Sequence, residues 1–216
     1  MSLGGTASYT HPPRGMHIPP RVRASVDAAE AIGFEHCIRP ETGRLLQALA
    51  AGVPGGGRIG EAGTGTGTGV AWMTCSAHPE VSVVSFEIDP ARADAARAVH
   101  ADDPRVEIVT GDAAGLFERG PFDLLVLDGG PAGGKHTGAG PGRDAEPQPV
   151  DPDAVLSIGG IMTVDDFTPA TTWPPRFRDE PDRARIHWVH HPSLHCTELR
   201  VAEDLSVIVG RRHGGG

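Results

Sequence analysis

Cysteine is scarce in this chain: Cys37, Cys75 and Cys196 are the three in 216 residues, far apart and without a C-x-x-C pair. That excludes a disulfide framework and suits a reducing compartment. Long apolar runs are missing too, since none approaches the roughly 20 residues of a membrane span. No charged-then-apolar leader is present, so the expected location is cytoplasmic, away from membranes. Positive charge is also in short supply, with 19 Lys and Arg against 28 Asp and Glu and a net charge of −9. A nucleic-acid backbone is therefore excluded as the main partner, because neutralising phosphates requires a basic face. A small molecule is the expected partner. With 38% hydrophobic residues in 216, the chain supports one sizeable core and not two ordinary domains.

Glycine is abundant, and Arg58-Ile59-Gly60-Glu61-Ala62-Gly63-Thr64-Gly65-Thr66-Gly67-Thr68-Gly69 concentrates it in a pattern that a packed core does not require. Glycine at every second position from Gly63 removes side chains where a backbone turns tightly or a ligand approaches closely. A dinucleotide fingerprint needs glycine at n, n+2 and n+5. Counting from Gly63, Gly65 or Gly67, the n+5 residue is Thr68, Val70 or Trp72, so that pattern fails. Gly55, Gly57 and Gly60 have the spacing but precede the expected strand. A Walker loop would end in Gly-Lys-Ser/Thr, and this loop holds no lysine. An acid followed by G-x-G-x-G remains, in competition with a plain glycine-rich turn between strand and helix.

Residues 1–20, rich in Pro, Gly and His, are expected to be flexible or ordered only by docking. Residues 21–216 form the expected single domain. Helices fit Val22 to Ile32 and a stretch from Glu41 that ends before Gly52. Strands are expected at Arg58 to Glu61, Val81 to Glu87, Val106 to Val109, Phe122 to Leu127, Gly160 to Val164, Ile186 to His190 and Leu205 to Val209. Helices fit between them at Val70 to Ala77, Pro90 to His100, Ala113 to Glu118 and Asp153 to Ser157. The alternation predicts an α/β protein, a Rossmann-like doubly wound and mostly parallel seven-stranded sheet with helices on both faces.

In such sheets ligands bind beyond the carboxyl ends of the strands. The second strand ends in Glu87, where a carboxylate can accept both hydroxyls of a ribose. Asp89 before Pro90 reads as a helix cap. Asp112, after the third strand, can cap the next helix. Asp128 ends the fourth strand, and Asp165 and Asp166 end the fifth. Three carboxylates on adjacent strand ends repel one another unless a cation lies between them, and hard oxygen ligands suit Mg²⁺ or Ca²⁺. His187, His190, His191 and His195 match no usual zinc spacing with Cys196 and read as a polar surface strand with its turn. Trp173-Pro174-Pro175 reads as a surface anchor, with a substrate wall as the alternative.

Glu61-x-Gly63-x-Gly65-x-Gly67 resembles the first motif of the class I S-adenosylmethionine-dependent methyltransferases. With Glu87, Phe122-Asp123-Leu124-Leu125-Val126-Leu127-Asp128 and Pro40-Glu41-Thr42-Gly43-Arg44-Leu45-Leu46, the chain from Ile38 to Arg211 is similar to the cation-dependent O-methyltransferases of the catechol and caffeoyl-CoA type. The resemblance implies the class I methyltransferase fold and S-adenosylmethionine held by Glu61, Gly63, Gly65, Gly67, Glu87, Asp112 near the adenine amino group, and Asp128. It further implies a divalent cation, Mg²⁺ by expectation, on Asp128, Asp165 and Asp166, and a small hydroxylated acceptor that chelates it. It also allows a homodimer. Asp166 departs from the Asn usual at its place. Pro131 departs further, standing where the family has a lysine that takes the acceptor proton. Lys135 or His136, in the expected flexible loop 129–148, could be carried in by loop closure, and the catalytic pair implied is Asp128 with Lys135. Gly129 to Lys135 nearly spells a Walker loop, but the Gly- and Pro-rich chain after it cannot open the required helix. Two rivals remain: a metal-independent or non-catalytic S-adenosylmethionine-binding protein of the same fold, and a nucleotide-dependent oxidoreductase.

Overall fold

The first two regular helices begin at proline, whose fixed φ and missing N–H suit the first helical position: α1 is Pro20–Ala31 and α2 is Pro40–Ala51. Gly33, at φ +69°, lets the chain turn after α1. The structure is a computed structural model that describes residues 4–128, 149–177 and 179–214. The strands β1 Arg58–Ala62, β2 Ser82–Glu87, β3 Val106–Thr110 and β4 Phe122–Leu127 alternate with α3 Thr68–Thr74, α4 Pro90–Val99 and α5 Ala114–Phe117. There follow α6 Pro152–Val155, β5 Leu156–Phe167, a small hairpin of β6 Arg176–Phe177 and β7 Glu180–Pro181, α7 Arg183–Val189, β8 Leu194–Arg200 and β9 Ser206–Arg212.

Among the described residues the main sheet has seven strands in the order β3-β2-β1-β4-β5-β9-β8. The pairs from β3 to β5 are parallel, while β9 runs antiparallel to both its neighbours. Side chains alternate across the sheet. Leu124 and Val126 join one core with Val26 of α1, Leu46 of α2, Trp72 of α3 and Ala96 of α4. Leu125 and Leu127 join a second core on the other face with Leu116, Val155 and Trp188. The continuous apolar run of β4 is thus what a central strand buried on both faces requires.

Residues 4–19 are docked on the first core. Tyr9 is 1% exposed, donates its hydroxyl to the Ile38 carbonyl at 2.8 Å and accepts from Trp72 Nε1 at 2.8 Å. Thr6 Oγ1 donates to the Phe34 carbonyl and accepts from the Cys37 N–H. No helix among the described residues is long and apolar enough to cross a membrane.

The stretch Ile186 to His190, expected as a strand, is the end of helix α7 with its C-cap His190. Its β-branched and aromatic residues favour extension locally, but Asp182 caps the helix by accepting from Arg185 N at 3.0 Å. Ala184 and Trp188, four apart, then reach the second core together. The sheet position expected for this stretch is filled by β8, which pairs with β9. The expected helix Asp153 to Ser157 is shorter, and β5 begins at Leu156. Between Phe122 and Leu124 the pairing with β5 jumps from Leu156 to Ile161, an outward bulge around Gly159, whose φ is +81°.

Candidate active site at the carboxyl ends of the strands

The glycine loop leaves β1 at Ala62 and turns back over the end of β2, with the N–H groups of Gly63 and Thr64 both donating to the Phe86 carbonyl at 3.0 and 3.2 Å. Gly63, Gly65 and Gly67 have φ of +98°, +54° and +87°, which side chains disfavour. The threonines between them are the anchors. Thr64 Oγ1 lies 2.5 Å from Ser85 Oγ, Thr66 Oγ1 donates to the Ser25 carbonyl at 2.9 Å, and Thr68 Oγ1 contacts Cys37 Sγ at 3.3 Å and Ser25 Oγ at 3.1 Å. The alternation therefore fixes one side of the loop to β2, α1 and the segment before α2, while Gly65 and Gly67 let Phe34 and His100 pack directly against its backbone.

Glu61 and Glu87 stand on either side of this loop. Glu61 is 1% exposed; its Oε2 accepts from Ser85 Oγ at 2.6 Å, while Oε1 has no hydrogen-bond partner among the described residues and faces Gly69, where a Cβ would lie 2.0 Å away. Burial pushes the Glu61 carboxyl up to about 8; the Ser85 hydrogen bond pulls it down, and the charges of Asp165 and Glu87 raise it further. Glu87, also buried, accepts the Gly65 N–H on Oε2 at 2.8 Å and the Asp89 N–H on Oε1 at 3.0 Å. The strand-end acid and the glycine loop are thus one unit, as the sequence places them.

Asp128 follows β4 directly, and its N–H donates to the Ala62 carbonyl at 3.0 Å, locking it beside the start of the glycine loop. Asp165 and Asp166 fall at a second irregularity of β5. The pairing with β9 advances three residues from Val164 to Phe167 against two from Ile208 to Ser206. This bulge re-aims the side chains, as bulges beside functional sites do, and Asp166 takes φ +58°. Carboxylate oxygens of Asp128, Asp165 and Asp166 all lie within 4.8 Å of one another. A cation holding oxygens at 2.0–2.6 Å spans ligands up to about 5 Å apart. Number, spacing and hard-oxygen chemistry therefore fit Mg²⁺ or Ca²⁺.

Asp112 is exposed, one residue ahead of the Ala113 N-cap of α5, and its Oδ1 accepts from Ala114 N at 2.8 Å. Asp123 Oδ2 accepts the Arg58 N–H at 2.8 Å and pins the entrances of β4 and β1 together. The aromatic contacts of His187, His190 and His191 are with one another and with tryptophans, at ring distances of 4.7–5.6 Å apart from the 6.1 Å of Trp188 and His191, and Trp173 leans on His190. Lys135 and His136, the loop 129–148 and Pro131 lie outside the described residues.

Three residues beside the glycine loop belong to none of the motifs read in the sequence. His100 Nε2 lies 3.0 Å from the Gly67 carbonyl. Phe34 packs on Gly65, and Arg92 on Glu87. Arg92 follows Glu87 closely in the chain, at the start of the next helix, and could have been suspected on that ground; Phe34 and His100 are brought in by the fold alone.

No family model matches the sequence. Over 118 residues the chain is 33% identical to a curated catechol O-methyltransferase from Mycobacterium tuberculosis, covering 50% of this chain and 52% of that protein. The chain thus spans about half the length of the curated relative it matches. Among solved structures, cofactor-bound Rv0187 from MTB superposes with a TM-score of 0.72 at 20% identity over 99% of this chain and 100% of that one. The O-methyltransferase TomG from Streptomyces achromogenes, in complex with S-adenosylmethionine, gives 0.70 at 16% identity over 99% and 100%. The O-methyltransferase from Bacillus cereus, in complex with S-adenosylhomocysteine, gives 0.66 at 18% identity over 97% of each chain. The chain has the class I methyltransferase fold, and its sequence likeness is to an O-methyltransferase.

Proposed function

We propose that this protein transfers the methyl group of S-adenosylmethionine to a hydroxyl of a small acceptor able to chelate a divalent cation. The observation that carries this reading is a juxtaposition. The glycine loop with Glu87 and the cluster of Asp128, Asp165 and Asp166 sit side by side at the carboxyl ends of β1, β2, β4 and β5. The sequence likeness to a catechol O-methyltransferase supports the acceptor class.

On this reading the backbone of Gly63, Gly65 and Gly67 lies along the methionine part of the donor. Glu87 receives the ribose hydroxyls, for which its carboxylate keeps lone pairs beyond the two N–H groups it already accepts. Asp128, Asp165 and Asp166 would hold a divalent cation, with Mg²⁺ the best match. Bound there, the cation supplies positive charge that favours the ionised form of an acceptor hydroxyl. Asp128, tied by its backbone to Ala62, keeps the acid cluster in fixed register with the donor loop, and that register aligns the two reactants.

Thermal-shift and calorimetric titrations test this directly. S-adenosylmethionine and S-adenosylhomocysteine should each stabilise the protein, by about 2.7 kcal/mol at a hundredfold excess over Kd. Methyl transfer to a catechol should require Mg²⁺, and Asp165→Ala should abolish turnover while cofactor binding persists. Cofactor binding with full turnover in EDTA would leave the metal-independent alternative. Binding of NAD in place of S-adenosylmethionine would overturn the reading altogether.

A further inference from the structure

Four residues from four separate segments close a ring around the cofactor loop. The Gly65 N–H donates to Glu87 Oε2 at 2.8 Å. The other oxygen of Glu87 lies 3.4 Å from Arg92 Nη1. The guanidinium carbon of Arg92 stands 5.0 Å from the centroid of the Phe34 ring. Phe34 in turn lies against Gly65 so closely that a Cβ there would be 2.8 Å from its Cε1.

Each link constrains the next. A carboxylate with 4% exposure has little water to orient it, so its direction is set by the groups it touches. Arg92 is aimed by Asp89, whose Oδ2 lies 3.4 Å from its Nη2 and whose Oδ1 caps the same helix by accepting the Arg92 N–H at 3.1 Å. The flat guanidinium rests on an aromatic face, an arrangement an ammonium does not reproduce. Phe34 is held from behind, since its N–H donates to the Ala29 carbonyl at 2.9 Å and its carbonyl accepts Thr6 Oγ1 at 2.7 Å.

We propose that Arg92, seated on Phe34, is a positioning residue that sets the Glu87 carboxylate to receive the ribose hydroxyls of the methyl donor. The proposal rests on the cofactor reading above and adds a specific dependence to it. The effect of Arg92 must pass through the ribose hydroxyls, because Glu87 is the group it orients.

The experiment compares two ligands by calorimetry: S-adenosylhomocysteine and its analogue lacking both ribose hydroxyls. Arg92→Gln should weaken the intact nucleoside about tenfold, the scale of a charge-assisted hydrogen-bond network, and the analogue less than about twofold. Arg92→Lys should recover part of the loss. Phe34→Leu, which keeps the guanidinium but removes its seat, should show the same preference for weakening the intact ligand and serves if Arg92→Gln does not fold. Equal weakening of both ligands, or none of either, overturns the role of Arg92 while leaving cofactor binding intact. Wild-type protein that binds neither ligand overturns the cofactor reading, and this proposal with it.

Discussion

Glu61 shows how much one buried side chain can decide. Its folded-state value of about 8 stands above the ordinary 4.5 because burial disfavours the charge. The folded protein therefore holds a proton that the unfolded chain releases between those two values. Stability from this group is greatest below pH 4.5, declines as pH rises to about 8 and is level above it. Glu61→Gln carries no such proton and mimics the neutral form, so its stability relative to wild type should rise steadily from pH 5 to pH 8 in urea denaturation. A difference that stays constant with pH would mean Glu61 is charged throughout. The role of Glu61 as the acid of a glycine motif is legible in the sequence. Its burial against Gly69 is not, because only the folded loop brings them together. The same holds for Gly65 and Gly67. Their pattern announces a ligand, yet they are also required by Phe34 and His100, whose Nε2 would lie 2.8 Å from a Cβ at position 67.

At the scale of elements, β5 deserves a test of its own. Its bulge places Asp166 at φ +58°, a conformation that Asn and Asp tolerate and β-branched residues do not. Asp166→Asn should keep the fold and, on the proposed function, the Mg²⁺ response of turnover, since an amide oxygen would still be a hard ligand. Asp166→Val should lose stability by about 1–3 kcal/mol from backbone strain, together with the Mg²⁺ response, as thermal denaturation and a methyl-transfer assay would show. The carboxyl ends of β2, β4 and β5 were readable because their acids interrupt continuous apolar runs. Helix α7 was not readable, because Ile186, Trp188 and Val189 favour extension and only the Asp182 cap and the core contact of Trp188 override them.

Over the whole molecule, sheet order places the site. β1 lies between β2 and β4, so chain segments leave it toward opposite faces, and the crevice that results is where doubly wound sheets bind ligands. The alternation of strands and helices foretold this architecture, whereas the docking of residues 4–19 through Tyr9 did not show in their composition, since it depends on a hydroxyl meeting Trp72 and Ile38 across the fold.

That separation of the two cores gives the protein an optical label on each face of its sheet. Its three tryptophans divide cleanly: Trp72 is enclosed in one core, Trp188 in the other, and Trp173 is 67% exposed. Acrylamide should quench a single emitter in the native protein, and Trp173→Phe should remove that accessible fraction. The remaining light then comes from two interior sources, one of them five residues beyond Gly67. Removing either by mutation would let the melting of the two faces be followed separately, with no dye attached.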